Sequence, residues 1–378
     1  MITKKIYLDN NATTALDPRV LRAMLLELEG APSNPSSIHT YGQRAKQLLY
    51  KARKNISTFF NVNPDELIFT SGGTESVNTA IHGLMHSHST GHIISTSIDH
   101  SCVFQTLTLL QKQGYDLTFL EVGLKGAPEL SQIENAIRPD TKLIALSIAN
   151  SETGVMIDLE PIAALCLERK IPLVLDGVAI LGKEIFSIPK GVSAMCFSAH
   201  KIHGPKGTGL LFLRSNAKFS PLILGGPQEN NRRAGTENLA GILGFEEAVA
   251  ILKETQESYI PKIRKLRDYF EKTLQGIFPH IIINGEGPRV CNISNLSFLH
   301  VNGENLLIQL DRNGIMASHG SACSSGSIEP SRILLNMGIP RKQAKGAVRF
   351  SFSRLTSQEE VDTCIEVLRT LIPKLTME

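Results

Sequence analysis

The chain has 378 residues, 42% of them hydrophobic and 20% charged, with a formal net charge of +3. That length suggests two or three domains with a sizeable core, and the composition belongs to an ordinary globular protein rather than a disordered one. Lys/Arg and Asp/Glu are mixed without long single-sign blocks, so nothing points to nucleic acid or an anionic membrane as a partner.

The chain opens with MITKKIYLDNNATT, whose lysines are not followed by an apolar stretch of roughly 7–15 residues. No signal peptide or membrane span is expected, and a cytoplasmic location is. Next come short β-branched or Leu-rich runs in the order ELIFT, HIISTS, DLTFLEV, KLIALSIA, PLVLD, AMCFS and GLLFLR, each a predicted strand. TESVNTAIHGLM and LEPIAALCLERK carry apolar residues three and four positions apart and predict amphipathic helices between them. The alternation predicts an α/β fold with a mostly parallel sheet covered by helices. From about Thr255 the rhythm changes to a long charged helix, ETQESYIPKIRKLRDYFEKTLQGI, followed by elements in another order, which predicts a second domain. The expected division is a large domain over residues 13–257 and a smaller one over 1–12 and 258–378. No internal repeat or low-complexity linker separates them.

Six cysteines are scattered without a CxxC pair, so neither a zinc site nor a disulfide scaffold is expected, and most should be buried thiols. Cys323 differs, because SHGSACSSGSIEP is a run of small residues with little helix or strand preference. A mobile loop with an exposed, reactive thiol is expected there.

Three stretches carry chemistry. In FTSGGTESVNTAIHGL a strand ends at Thr70, Ser-Gly-Gly turns the chain, and a helix opens near Thr74 and Glu75. Free N–H groups at such a turn bind phosphate, although Ser or Thr before Glu also makes a plain helix cap. The stretch matches neither a Walker A sequence nor GxGxxG, which counts against a nucleotide or an NAD-type enzyme. IPLVLDG delivers Asp176 to the C-terminal end of a strand, where open α/β sheets bind ligands. AMCFSAHKIHGPKG delivers Lys201 to the same edge if the two strands are neighbours. A lysine there can form a Schiff base with an aldehyde, and an Asp can hold a pyridinium nitrogen protonated so that the ring accepts electrons. Phosphate, ring nitrogen and aldehyde are the three handles of pyridoxal 5'-phosphate.

YLDNNATT, NPSSIH, FTSGGTES, IDHSCV, NSETG, LDG, SAHKIHGPKG, RRAGTEN, GSACSSGSIEPS and VRFSFSR together resemble the IscS/NifS-type cysteine desulfurases, pyridoxal-phosphate enzymes of fold type I within the class-V aminotransferases. The resemblance runs nearly end to end. It implies Lys201 as the Schiff-base lysine, Asp176 at the pyridine nitrogen, and His100 stacked on the ring and able to shuttle a proton. Gly73, Thr74, Ser198 and His200 match the phosphate cradle. Thr236 matches a residue that reaches the phosphate of a neighbouring subunit's cofactor, which implies a homodimer. Arg349 matches the arginine that clamps the substrate carboxylate, with Asn34 beside the substrate. Cys323 matches the thiol that takes sulfur from L-cysteine as a persulfide, leaves L-alanine, and passes the sulfur to an acceptor protein such as an iron–sulfur scaffold or a sulfur carrier.

Two departures bear on the cofactor. Where the family reads Asp-Ala-Thr-Gln, this chain reads Asp176-Gly177-Val178-Ala179, so the side chain that donates to the ring's phenolic oxygen is missing. Where it reads Asn-Asn-Glu, this chain has Asn150-Ser151-Glu152, with a shorter donor at Ser151. The expectation is therefore a cysteine desulfurase; the alternatives are a selenocysteine lyase or aminotransferase of the same fold, or a low-activity paralogue that binds the cofactor.

Overall fold

A computed structural model describes residues 5–320 and 330–376. Twelve strands are named here in chain order among those residues: β1 Ile6–Tyr7, β2 Leu67–Thr70, β3 His92–Thr96, β4 Asp116–Leu120, β5 Thr141–Ser147, β6 Leu173–Asp176, β7 Ala194–Ser198, β8 Gly209–Leu213, β9 Ile281–Ile283, β10 Ile293–Phe298, β11 Ile315–Met316 and β12 Ala347–Ser351. Seven form the main sheet in the order β2-β8-β7-β6-β5-β3-β4. All neighbours pair in parallel except those of β8, which runs antiparallel to both β2 and β7. All seven runs predicted as strands are strands of this sheet.

Both faces of the sheet are covered, which is why its strands read as continuous apolar runs rather than alternating ones. Leu173 and Leu175 of β6 face one buried cluster, while Val174 faces another with Ala145 and Cys196. The helices α1 Pro18–Leu28, α2 Thr40–Phe60, α3 Gly73–Met85 and α4 Ser101–Lys112 supply the covering layers. Val77, Ala80, Ile81 and Leu84 place the apolar side of α3 on the Val174 face. Asp176, two residues beyond Val174, emerges on that same face at the strand's end.

The long helix starts earlier than its charge pattern suggests. It runs unbroken from Leu239 to Ile277, with Pro261 inside it and Asn238 capping its first turn through Gly241 N–H at 3.1 Å. Its first half is buried against α1 and α2, so apolar contacts, not charge, define it there. Position 258, the expected domain boundary, therefore lies inside one helix. Beyond it a three-stranded antiparallel sheet, β12-β10-β9, packs on the helix through Phe270 against Phe350 and Phe352. The N-terminal strand β1 pairs with β11, which ties residues 6–7 to the C-terminal part of the chain. No helix among the described residues is long and apolar enough to cross a membrane.

Candidate active site

Strands β6 and β7 are parallel neighbours with Asp176 level with Cys196, so Asp176 and Lys201 leave the sheet at one edge. They line a common cavity of about 210 Å³ together with Gly73, Thr74, His100, Ser151, Ser198, His200 and Arg349. Parallel strands present their C-terminal ends, and the turns that follow them, to one rim; that rim gathers residues far apart in sequence.

Lys201 ends the 3₁₀ turn Ala199–Lys201 just after β7. Its ammonium donates to the carbonyls of Asn11 and Ala12 at 2.5 and 2.9 Å. Burial, assisted by the Arg349 guanidinium, pushes its pKa down to about 8. Asp176 is 7% exposed and accepts from Val178 N–H at 2.9 Å. Burial pushes its carboxyl above the usual carboxylate range, against the opposing pull of His100. A cationic ring nitrogen is the kind of partner such a buried carboxylate lacks.

His100 sits at the N-cap of α4, its Nδ1 accepting from Cys102 N–H at 3.2 Å and lying 3.0 Å from Cys102 Sγ. Cys102 Sγ in turn lies 4.0 Å from Asp176 Oδ2. One polar atom of each of the three falls within 4.8 Å of the others. Cys102 also lines the cavity, a role no sequence signal announces, since a buried thiol reads as packing.

The turn Ser71-Gly72-Gly73 differs in one respect from a simple cap. Gly72, not a Ser or Thr, occupies the N-cap of α3, and no side chain caps the helix. Glu75 instead accepts from Ser71 N–H at 2.8 Å and pairs with Arg233 at 2.8 Å. The uncapped turn suits an anion held by backbone N–H groups. A Cβ on Gly73 would stand 2.6 Å from Val178 Cγ2, so only glycine allows the turn to close on the cavity wall. Ser198 borders the same space, and His200 accepts or donates at Thr13 Oγ1, 3.1 Å away, its pKa pushed down to about 4 by burial.

Arg349 is 1% exposed and reaches the cavity from β12. It donates to Asp9 Oδ1 at 2.8 Å and to the Ser151 carbonyl at 2.9 Å, while its buried Nε has no partner among the described residues. Asn11 also holds the Ser151 carbonyl, at 2.6 Å. The YLDNNATT segment thus supplies acceptors for Lys201 and a brace for Ser151, roles its sequence did not reveal.

Two hydroxyls in the cavity, Ser147 and Ser151, have buried oxygens without a hydrogen-bond partner among the described residues. Orphaned buried hydroxyls are costly unless a ligand satisfies them. Ala179 lines the wall beside them and offers no donor. The donor set, an amine, a carboxylate, an uncapped helix start and free hydroxyls, fits pyridoxal 5'-phosphate.

Two expected residues are not brought into the cavity. Asn34 is exposed and accepts from Ser36 N–H at 2.9 Å. Thr236 is exposed on the segment leading into the long helix, three positions beyond the Arg233 anchor. Cys323 lies outside the described residues.

The sequence matches the class-V aminotransferase family model over residues 6–364. The chain belongs to the class-V aminotransferase family. Pyridoxal 5'-phosphate is the cofactor of this family, in keeping with the cavity. Among this aminotransferase-family chain's relatives are a cysteine desulfurase of a Nostoc species, 38% identical over 98% of this chain and 93% of that one, and cysteine desulfurase IscS of Dictyoglomus turgidum, 38% identical over 98% and 95%. A solved NifS-like protein superposes with a TM-score of 0.91 at 31% identity, covering 98% of this chain and all of the other. The mostly parallel sheet with its flanking helices is thus the fold-type-I architecture.

Proposed function

We infer that this chain is a pyridoxal-phosphate-dependent cysteine desulfurase, which takes sulfur from L-cysteine. The observation that carries the residue assignment is the convergence of Lys201, Asp176 and the uncapped turn at Gly73 on one cavity.

Lys201 would hold the cofactor's aldehyde carbon and Asp176 its ring nitrogen. Gly73, Thr74, Ser198 and His200 would hold its phosphate, and Ser151 would serve the phenolic oxygen. When bound, the cofactor supplies an electron sink for negative charge at the substrate's α-carbon. Arg349 binds the substrate carboxylate as a planar, two-pronged donor; its unpartnered Nε supports that role. A pKa of about 8 leaves a useful fraction of Lys201 neutral near neutral pH, as an amine that must accept the α-proton requires. His100 moves a proton at the sulfur-leaving step.

The Cys323 thiolate attacks the substrate sulfur; the S–S bond forms as the C–S bond breaks, leaving a persulfide on the enzyme and alanine after reprotonation. An acceptor protein then takes the sulfur, for iron–sulfur cluster assembly or thiolation. The working unit is a homodimer in the cytoplasm, with Thr236 reaching the neighbouring subunit's phosphate site.

Incubating the purified chain with L-cysteine and a reductant yields alanine and sulfide in step, and Cys323→Ser abolishes both. Alanine formation undiminished in Cys323→Ser would overturn the thiol assignment.

A further inference from the structure

Behind the turn that carries Lys201 lies a second buried lysine. Lys183 is 5% exposed and donates through Nζ to the Lys201 carbonyl at 3.1 Å. No carboxylate pairs with it among the described residues. The adjacent Glu184 is committed elsewhere, its carboxylate held by Arg264 of the long helix at 2.5 Å. The Lys183 segment is fixed from the same helix, where Tyr259 donates to the Gly182 carbonyl at 2.8 Å. A buried ammonium without a counter-charge is costly, so its retention here calls for a role.

We propose that Lys183 is a positioning residue for Lys201: its ammonium pins the carbonyl of the cofactor-bearing lysine and places an uncompensated positive charge behind that side chain. The inference rests on Lys201 carrying the cofactor. The titratable groups around Lys183 are Lys201, His203, Arg354, Cys291, Tyr259 and Glu184; Glu184 is neutralised by Arg264, and burial pushes the Tyr259 phenol well above its ordinary value, so it stays uncharged in the working range. Burial pushes the thiol's pKa up to about 12, so it is neutral in the working range and does not cancel the ammonium. Arg354 is itself paired with Asp17. Burial pushes the pKa of Lys183 itself down to about 8, so below that pH its charge acts to disfavour a proton on the Lys201 nitrogen, the same direction in which burial acts.

The test is a pH titration of the absorbance of the lysine-bound cofactor in the holoenzyme, for the native chain, Lys183→Arg, Lys183→Gln and Lys183→Met. Gln keeps a donor to the Lys201 carbonyl without charge; Met keeps only the packing. Below about pH 8, where the Lys183 ammonium keeps its charge, native and Arg proteins titrate together, whereas the midpoint rises by roughly one pH unit in Gln and Met. Unchanged midpoints in the neutral variants would overturn the proposal, and either neutral variant alone decides it if the other does not fold. Absence of lysine-bound cofactor absorbance from the native chain would instead remove the reading on which the proposal rests.

Discussion

Arg349 donates through Nη2 to Asp9 Oδ1 at 2.8 Å, joining positions 340 residues apart in the chain. The arginine is almost fully buried, so its charge is compensated chiefly by this one carboxylate. Asp9→Asn leaves the guanidinium without a counter-charge and without its orientation. Stability falls by about 2–3 kcal/mol in urea unfolding, and KM for L-cysteine rises more than kcat falls.

Gly73→Ala pushes a methyl group into Val178 Cγ2, at 2.6 Å, within the turn assigned to the phosphate. Cofactor affinity drops by at least about tenfold, read from fluorescence-monitored binding. The double variant with Val178→Ala recovers much of the loss, because the second change removes the atom that clashes.

The architecture was legible because each strand is buried on both faces and reads as an unbroken apolar run. Asp176 and Lys201 were legible because each follows such a run directly. What the sequence hid were contacts made by backbone or by distant segments. Nothing in YLDNNATT announces that its carbonyls receive the Lys201 ammonium, and Cys102 reads like any packed thiol until α4 turns it toward Asp176. The start of the long helix was masked because its first half is buried and its charge pattern begins only later. Thr236 and Asn34 are exposed, and a role for Thr236 that involves a second subunit has no signature within one chain.

Ala179 stands in the cavity wall and offers no hydrogen-bond donor to a bound ring. Ala179→Gln supplies a hydrogen bond to a charged oxygen and tightens cofactor binding by about tenfold. The pH at which the bound cofactor's absorbance changes falls with it, because the deprotonated state keeps the stronger acceptor.

Acid stability has a histidine component. Burial holds His203 at a pKa of about 4, against an ordinary value of 6.5, and it adopts a left-handed backbone conformation with φ of 64°. Above pH 6.5 both folded and unfolded forms are neutral. As pH falls from 6.5 to 4 the unfolded imidazole takes up a proton and the native one does not, so stability declines, by up to about 3 kcal/mol for this residue. His203→Asn tolerates the backbone and can still donate to the Ala15 carbonyl, now 2.9 Å from His203 Nδ1. Urea unfolding at intervals across this window shows a shallower decline in the variant.

The most direct measurement of the central claim is chemical trapping of the cofactor. Borohydride reduction of the holoenzyme, followed by digestion and mass spectrometry, finds the pyridoxyl group on the peptide containing SAHKIHGPKG, at Lys201. A label on any other lysine, Lys183 included, or no label on a protein that retains its cofactor, would contradict the account.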